Sequence, residues 1–175
     1  MRKIMLSLVV AGLVLLGGRL LFAWGGQTPS DFVTGGGWIV GTPSGAKGNF
    51  GVGGGVKNGA FWGHLNYLDH GTGLHVQATS ITGYRIFEDG FTPSRTRDIC
   101  GTYKTDTGDS GYFLVRVSDN GEPGRDDFFG IKLDNGYLAM GDLGGSSAGG
   151  GNIQLHKGNA SNTPPATESF CPVSG

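Results

Sequence analysis

The chain has 175 residues and a formal net charge of −1, and 36 of its residues are glycine, where about 7% is average. This much glycine excludes a helical bundle, because each glycine inside a helix costs about 1 kcal/mol relative to alanine. Seven prolines and no Gly-X-Y period exclude collagen. Because 37% of residues are hydrophobic and only 15% charged, the chain does not resemble a disordered one. The composition favours a β protein with many tight turns.

The N-terminal segment has the layout of a secretory signal peptide. Arg2 and Lys3 precede an uncharged apolar run over residues 4–16, and small residues follow it. The alternative is a retained membrane anchor, but Arg19 interrupts the span of about 20 apolar residues that an anchor needs. We therefore predict a signal peptide at residues 1–26 and a secreted, periplasmic or cell-surface location.

Cleavage would change the charge balance of the chain. Removing three of the 13 basic residues leaves ten against 14 acidic residues, a net charge of −4. A negative domain without a basic cluster argues against nucleic acid as a partner and, after signal cleavage, against an anionic membrane. A surface protein, a glycan or a second copy of the chain stay open as partners.

Short alternating segments predict an all-β, antiparallel fold over residues 27–158. Period two with one apolar parity means that one face of each strand is buried and the other is wet. The connectors are short and rich in Gly, Asn and Asp, so they join neighbouring strands. We expect a mostly meandering β-barrel of about nine or ten strands, with a β-sandwich as the alternative. Glycines within 51–55 predict a bulge or sharp bend. The alternating segments are 37–40, 49–56, 64–68, 74–80, 84–86, 113–117, 129–133 and 153–155.

The two cysteines suggest a disulfide that holds the C-terminal tail. Cys100 lies in the body of the domain, and Cys171 lies in a Ser/Thr/Pro-rich tail over residues 159–175. Export would permit a disulfide. It would close a loop of about 70 residues and staple the tail to the body. The alternative is two separate thiols.

The most distinctive polar stretch runs from Asp119 to Phe128. Calcium takes six to eight oxygen ligands, so this composition suits a calcium site, although the EF-hand spacing is absent. The alternative is a polar turn whose Asp and Asn side chains bind local backbone amides. The candidate calcium ligands are Asp119, Asn120, Glu122, Asp126 and Asp127. Calcium is the one cofactor that the sequence suggests.

Other chemistry has weaker signals. His64, His70 and His75 lie around one turn, with His156 far along the chain; a zinc site needs three or four ligands in fixed geometry, and the turn at Gly71 leaves theirs open. The alternative is that Asp69 and His70 order the turn. There is no Gly-x-Ser-x-Gly elbow, no His-Glu-x-x-His and no phosphate loop, so we predict no catalytic residues. The alternative is a hydrolase whose site assembles from distant residues.

Aromatic residues offer a candidate carbohydrate platform, for which Trp38 and Trp62 are the chosen ligand-binding residues. The alternative is packing in the core, which takes up most aromatic side chains of a small β domain. The other candidates are Phe61, Tyr103 and Tyr112.

Several short motifs in order give the chain a family resemblance. It resembles the post-COAP-1 domain, a module of exported bacterial proteins, over residues 34–157. The resemblance implies an extracellular β domain of no established activity, and it implies no catalytic or ligand residues. The motifs are TGGGWI (34–39), GNFG (48–51), GHLNYLDH (63–70), VSDNGEPG (117–124) with DF (127–128), and GGNIQLH (150–156).

These observations predict a secreted, non-enzymatic structural or binding module of the cell surface or envelope. One alternative is a calcium- or carbohydrate-binding domain. Another is a subunit of an extracellular filament, in which the lead-in Gln27–Phe32 adds a strand to a neighbouring subunit.

Overall fold

The computed structural model describes residues 28–147 and 149–175, so the predicted signal peptide at 1–26 lies outside the described residues. Nine strands form one antiparallel sheet, and the described part adds a single short helix, the 3₁₀ turn Ala160–Asn162. The all-β prediction and the strand number are confirmed. The strands are β1 (Phe32–Ile39), β2 (Gly48–Lys57), β3 (Ala60–Asp69), β4 (His75–Phe87), β5 (Thr96–Thr105), β6 (Ser110–Ser118), β7 (Phe128–Leu133), β8 (Leu138–Asp142) and β9 (Gly151–His156).

The sheet is a meander with one added strand. Its order is β8-β7-β6-β5-β4-β3-β2-β1-β9, so strands β1 to β8 follow one another and β9 returns to pair with β1. The sheet curls into a half-barrel, which brings its two ends together. Just beyond β1, the Gly41 carbonyl accepts the Met140 N–H of β8 at 3.0 Å, and within β1 the Trp38 carbonyl accepts the Gly144 N–H at 2.8 Å.

The concave face of the sheet is filled with large side chains. Phe113, Val115 and Val117 alternate inward on β6 and are fully buried, as the alternation predicts. Phe50 stacks on Phe129 with ring centroids 3.9 Å apart. Burying each such side chain stabilises the fold by roughly 1.5–3 kcal/mol. The interior is therefore a packed core shared by β1 to β9.

The sheet has its register shifts in β4, whereas residues 51–55 contain no bulge; the alternative of a sharp bend there stays a prediction. β2 pairs without a register shift with both neighbours. In β4 the register with β5 shifts between Ala78 and Ser80 and again between Ile81 and Gly83. There, Gly101 of β5 lies so close to the Ser80 carbonyl oxygen that a Cβ would overlap it. In β2, the absence of a Cβ at the glycines instead lets side chains of neighbouring strands pack close to the backbone.

The C-terminal tail covers an opening in the sheet. β4 pairs with β3 only through its first three residues, 75–77. Farther along β4, the Thr82 carbonyl accepts the Phe170 N–H at 3.0 Å, and the Ser169 hydroxyl accepts the Tyr84 N–H at 3.1 Å. The tail thus satisfies backbone groups of β4 that β3 leaves unpaired.

The predicted disulfide is confirmed. Cys100 and Cys171 are bonded, with Cα atoms 5.2 Å apart, and they are separated by 71 positions in sequence. Cys100 points outward from β5, where Leu114 and Val173 pack beside it in a second, small apolar cluster. The tail is therefore fixed across the convex face of the sheet rather than hanging from it.

Candidate functional site

The loop between β6 and β7, residues 119–127, binds the free edge of β9. β9 pairs with β1 on one side only. On its other side, Asp127 Oδ2 accepts the Ile153 N–H at 2.7 Å and Asp119 Oδ2 accepts the Leu155 N–H at 2.8 Å. N–H groups two residues apart point to the same side of a strand. The two carboxylates therefore accept the N–H groups that a tenth strand, paired with β9, would otherwise bind.

The loop holds these carboxylates by its own hydrogen bonds. Asp127 Oδ1 accepts the Asn120 N–H at 2.8 Å, and the Asn120 side-chain amide donates to the Asp126 carbonyl at 2.7 Å. The Asn152 side-chain amide donates to Glu122 at 3.2 Å. The turn predicted as the alternative to a calcium site is therefore only partly observed: Asp127 accepts a local amide, but Asp119 accepts the distant Leu155 N–H and Asn120 donates to a carbonyl.

Burial raises the pKa of Asp127. The side chain is fully buried, and loss of water raises its pKa, although the N–H groups of Ile153 and Asn120 oppose that rise. Nearby Asp119 and Glu122 add repulsion in the same direction as burial. The pKa of Asp127 therefore lies above its ordinary value.

The candidate calcium ligands do not meet at one point. Asp119 and Asp127 bind backbone amides, and Asp126 is exposed beside Arg125 at 3.8 Å. No group of three or more His, Cys, Asp or Glu side chains in residues 28–147 and 149–175 is arranged to hold a metal ion. Calcium binding here stays a prediction, and it would compete with the bonds that close β9.

Three of the four histidines, His70, His75 and His156, contact different partners. His70 Nε2 lies 2.8 Å from the Asn49 side-chain oxygen, and His156 Nε2 lies 2.8 Å from the Thr34 hydroxyl. His75 Nδ1 contacts Asp106 at 2.8 Å, and its Nε2 contacts the side-chain oxygen of Asn66 at 3.1 Å. That pair resembles an orienting acid and a base, but the third partner is an amide rather than a nucleophile.

Trp38 and Trp62 lie on the convex face but do not form one platform. Across β2, Trp38 is opposite Asn49 and Trp62 is opposite Gly55. Six residues along a strand separate those positions by about 20 Å. Lys47 Nζ lies 4.1 Å from the Trp38 ring centroid. Both rings are half-buried, and sugar binding by either one stays a prediction.

The other aromatic candidates divide between core and surface. Tyr103 is buried in the core, and the partly buried Phe61 packs against that core. Tyr112 is exposed on the convex face, with Phe170 of the tail beside it at 6.2 Å between ring centroids. The core alternative therefore applies to two of these three side chains.

Two partly buried polar networks connect distant parts of the chain, and the sequence pattern indicates neither. In the first, Tyr137 donates to Asp69 at 2.9 Å, and its hydroxyl lies 2.8 Å from that of Tyr67. Burial raises the pKa of Tyr67 to about 12. Burial alone would raise the pKa of Asp69, but hydrogen bonds from Gly71, Tyr137 and Thr72 outweigh it and hold that pKa below its usual value.

The second network fixes the lead-in to the body of the domain. Arg97 is buried and donates to both carboxylate oxygens of Asp31, at 3.2 and 2.6 Å. Tyr84 donates to the same carboxylate at 2.8 Å. Thr28 contacts Ser169 of the tail at 2.9 Å. The described part of the predicted strand-adding segment is thus bound to its own chain, and filament assembly stays a prediction.

A third charged group lies on the convex face, where alternation would place solvated side chains. Asp98 is 1% exposed, and Arg116 donates to its two oxygens at 2.8 and 3.0 Å. Arg85 reaches the same carboxylate at 3.4 Å. The sequence alone does not indicate this group, because the pairing of Arg85 and Arg116 with Asp98 depends on the register of β4, β5 and β6, and the tail lies beside it.

The described residues include no helix of the length and apolarity that crossing a membrane requires. Comparison of the chain with family models, curated proteins and solved structures finds no match.

Proposed function

We propose that the chain is an exported β domain that acts as a structural or binding module of the cell surface or envelope, without catalytic activity. The observation that carries the proposal is the Cys100–Cys171 disulfide. Disulfides of this structural kind persist in oxidising compartments and are rare in the cytosol. The signal-like N-terminal segment and the resemblance to the post-COAP-1 family support the same location.

The packing supports a role carried by the surface. The concave face is filled by side chains such as Phe113 and Phe129, which are fully buried. The disulfide and the tail brace the convex face, where Phe170 is 57% exposed. A filled core with a braced outer surface suits a module that holds or presents a surface rather than one that encloses a substrate.

Export is tested by expressing the full chain in a bacterium and separating cytoplasm, envelope and medium. We expect a product shortened by about 26 residues, outside the cytoplasm, whose two cysteines resist alkylation until a reductant is added. The control variant Leu13→Arg places a charge in the apolar run and should keep the chain unprocessed. A wild-type chain that stays full-length and reduced in the cytoplasm would contradict the proposal.

The module role is tested on the processed protein recovered from that expression. We expect it to sediment with washed cell envelopes at physiological salt, as a surface module should. Protein heated to unfold it and then cooled without refolding serves as the control for nonspecific adhesion. A folded protein that stays entirely in the supernatant would contradict an envelope role.

A further inference from the structure

A groove lies on the convex face of strands β4 to β8, beside the end of the tail. The larger part has a volume of about 780 Å³ and lies between the tail residues 171–175 and the outward side chains of β4, β5 and β6. A smaller part of about 160 Å³ lies over β6, β7 and β8. Arg116 and Gly175 line both parts. The two cavities therefore adjoin at Arg116 and Gly175, and we refer to them together as the groove; the larger one has the volume of a small-molecule site.

One end of the groove is cationic. Arg85 and Arg116 share the single buried carboxylate of Asp98. The Arg116 guanidinium carbon lies 3.4 Å from the Phe87 ring centroid, which holds the cation flat against the wall of the groove. Among the described residues, Arg85 makes one side-chain hydrogen bond, the 3.4 Å contact with Asp98. Its remaining N–H donors, fixed in a planar fork, suit a bidentate carboxylate.

The other end is apolar. Gly130 forms the floor between Phe128 and Met140, and a Cβ at Gly130 would lie 3.2 Å from the Phe128 ring. Leu138 and Met140 are both 44% exposed, although they are large apolar side chains. Lys132 borders this end and donates to the Ser174 carbonyl at 2.7 Å. Exposed apolar side chains grouped along a groove mark a binding surface more often than scattered ones do.

The arginine pair favours an anion at its end of the groove. Three basic side chains line the groove, Arg85, Arg116 and Lys132, and three acidic groups balance them in number, Asp98, Glu88 and the terminal carboxylate of Gly175. Within this set, Arg85 and Arg116 share the one carboxylate of Asp98. Because each guanidinium has five N–H donors, this sharing leaves donors of both arginines for a second carboxylate.

We propose that this groove binds a single-chain amphipathic carboxylate. Its carboxylate pairs with Arg85 and the free donors of Arg116, and its apolar chain lies over Gly130 between Phe128 and Met140. Arg85 on β4 and Gly130 on β7 are three strands apart, which spans about 14 Å. The groove would bind this ligand whether or not the chain is exported, so failure of binding and failure of export are separate results.

The test is isothermal titration of the folded, disulfide-bonded protein with dodecanoate below its micelle concentration. Dodecyltrimethylammonium, which has the same chain and the opposite charge, is the ligand control. We expect one binding site for dodecanoate and at least tenfold weaker binding of the cation. Absence of binding at millimolar dodecanoate, or equal affinity for the two amphiphiles, would overturn the proposal.

Three variants assign the binding to the groove. Arg85→Gln should weaken dodecanoate binding about tenfold or more, because a charge-assisted pair is lost. Arg125→Gln removes the same charge from an exposed loop outside the groove and should leave the affinity unchanged. Met140→Gln should weaken binding about threefold by making the apolar end polar.

Met140 is exposed, and in Arg85→Gln the buried Asp98 keeps its two shorter contacts with Arg116, so both variants are expected to fold. Melting curves confirm that each variant is folded before titration. If Arg85→Gln and Arg125→Gln weaken binding equally, the carboxylate does not bind at the arginine pair and the proposal fails.

Discussion

Replacing Asp127 with asparagine tests whether side-chain carboxylates close the free edge of β9. The aspartate accepts two backbone N–H groups, from Asn120 at 2.8 Å and from Ile153 at 2.7 Å, while fully buried. Asparagine keeps the size of the side chain but offers one oxygen. Whichever way the amide turns, one of the two N–H groups faces an NH₂ donor and loses its acceptor.

The size of the effect follows from these contacts. A hydrogen bond to a charged group contributes about 1.5–3 kcal/mol, and a buried donor left unpaired costs about 1–3 kcal/mol. Removing the buried charge offsets part of this loss, because the pKa of Asp127 is raised by burial. We expect Asp127→Asn to lower the free energy of unfolding by about 2 kcal/mol, measured by urea titration of tryptophan fluorescence.

The matched control is Asp126→Asn, one residue away. The Asp126 side chain is 81% exposed and lies 3.8 Å from Arg125, so this variant should stay within about 0.5 kcal/mol of wild type. Equal stabilities for the two variants would refute the idea that Asp127 closes the sheet.

The pH dependence adds a second check on Asp127. A carboxyl whose folded pKa is raised favours the folded state most when it is protonated, and this contribution is lost as the pH rises through the folded pKa. As the pH falls from neutral toward the ordinary Asp value of 3.8, the wild type should gain stability relative to Asp127→Asn. The difference between the two proteins therefore widens in acid. A difference that narrows would mean that the folded pKa is depressed instead.

Three further substitutions test the rest of the fold. Cys171→Ser opens a loop of 71 positions and should lower the free energy of unfolding by about 4 kcal/mol in urea, with no effect of reductant on the variant. Tyr137→Phe removes a buried hydroxyl with two partners and should cost about 1–2 kcal/mol in a thermal melt, whereas no change would mean that water replaces it. Gly101→Ala places a Cβ against the Ser80 carbonyl and should cost at least about 2 kcal/mol by urea titration. Gly51→Ala meets no atom within 4 Å, so a similar loss there would contradict the packing explanation.

The sequence predicted well those strands that have one buried and one exposed face. Phe129, Ile131 and Leu133 of β7 alternate inward as expected, and all three are buried. The turn after them contains Gly136 with φ of 92°, a conformation that its Asn-Gly sequence favours. Alternation and turn chemistry are local properties, so they can be read without knowing the rest of the fold.

The position of β9 beside β1 could not be predicted, because it depends on how far the sheet curls. The polar stretch at 119–127 was recognised as distinctive, but its acceptors serve amide groups about 30 residues away. A short-range pattern cannot reveal such partners. The prediction of calcium and the observed capping of β9 rest on the same property, a concentration of oxygen acceptors in one loop.

Strands β5 and β8 were not predicted from the sequence. In both strands the cause is the environment of the side chains on the convex face. Nearly all of β5 is buried on both sides, including Arg97 and Asp98, because the tail covers its outward residues. Two-sided burial removes the alternation that would reveal a strand. In β8 the large apolar side chains face outward: Leu138 and Met140 are exposed, and the smaller Ala139 between them is buried.

These departures from simple alternation lie on one surface, the convex side of β4 to β8. Where local sequence rules fail in a folded protein, function or strain is the usual reason. On β5 the exception is explained by the tail and its disulfide, which bury Cys100 and cover Asp98. On β8 nothing in the described residues covers Leu138 and Met140, and they border the groove that leads to Arg116. These two exposed side chains therefore lie at the apolar end of the proposed carboxylate site. There, the apolar chain of a bound ligand would cover them and exclude water from them.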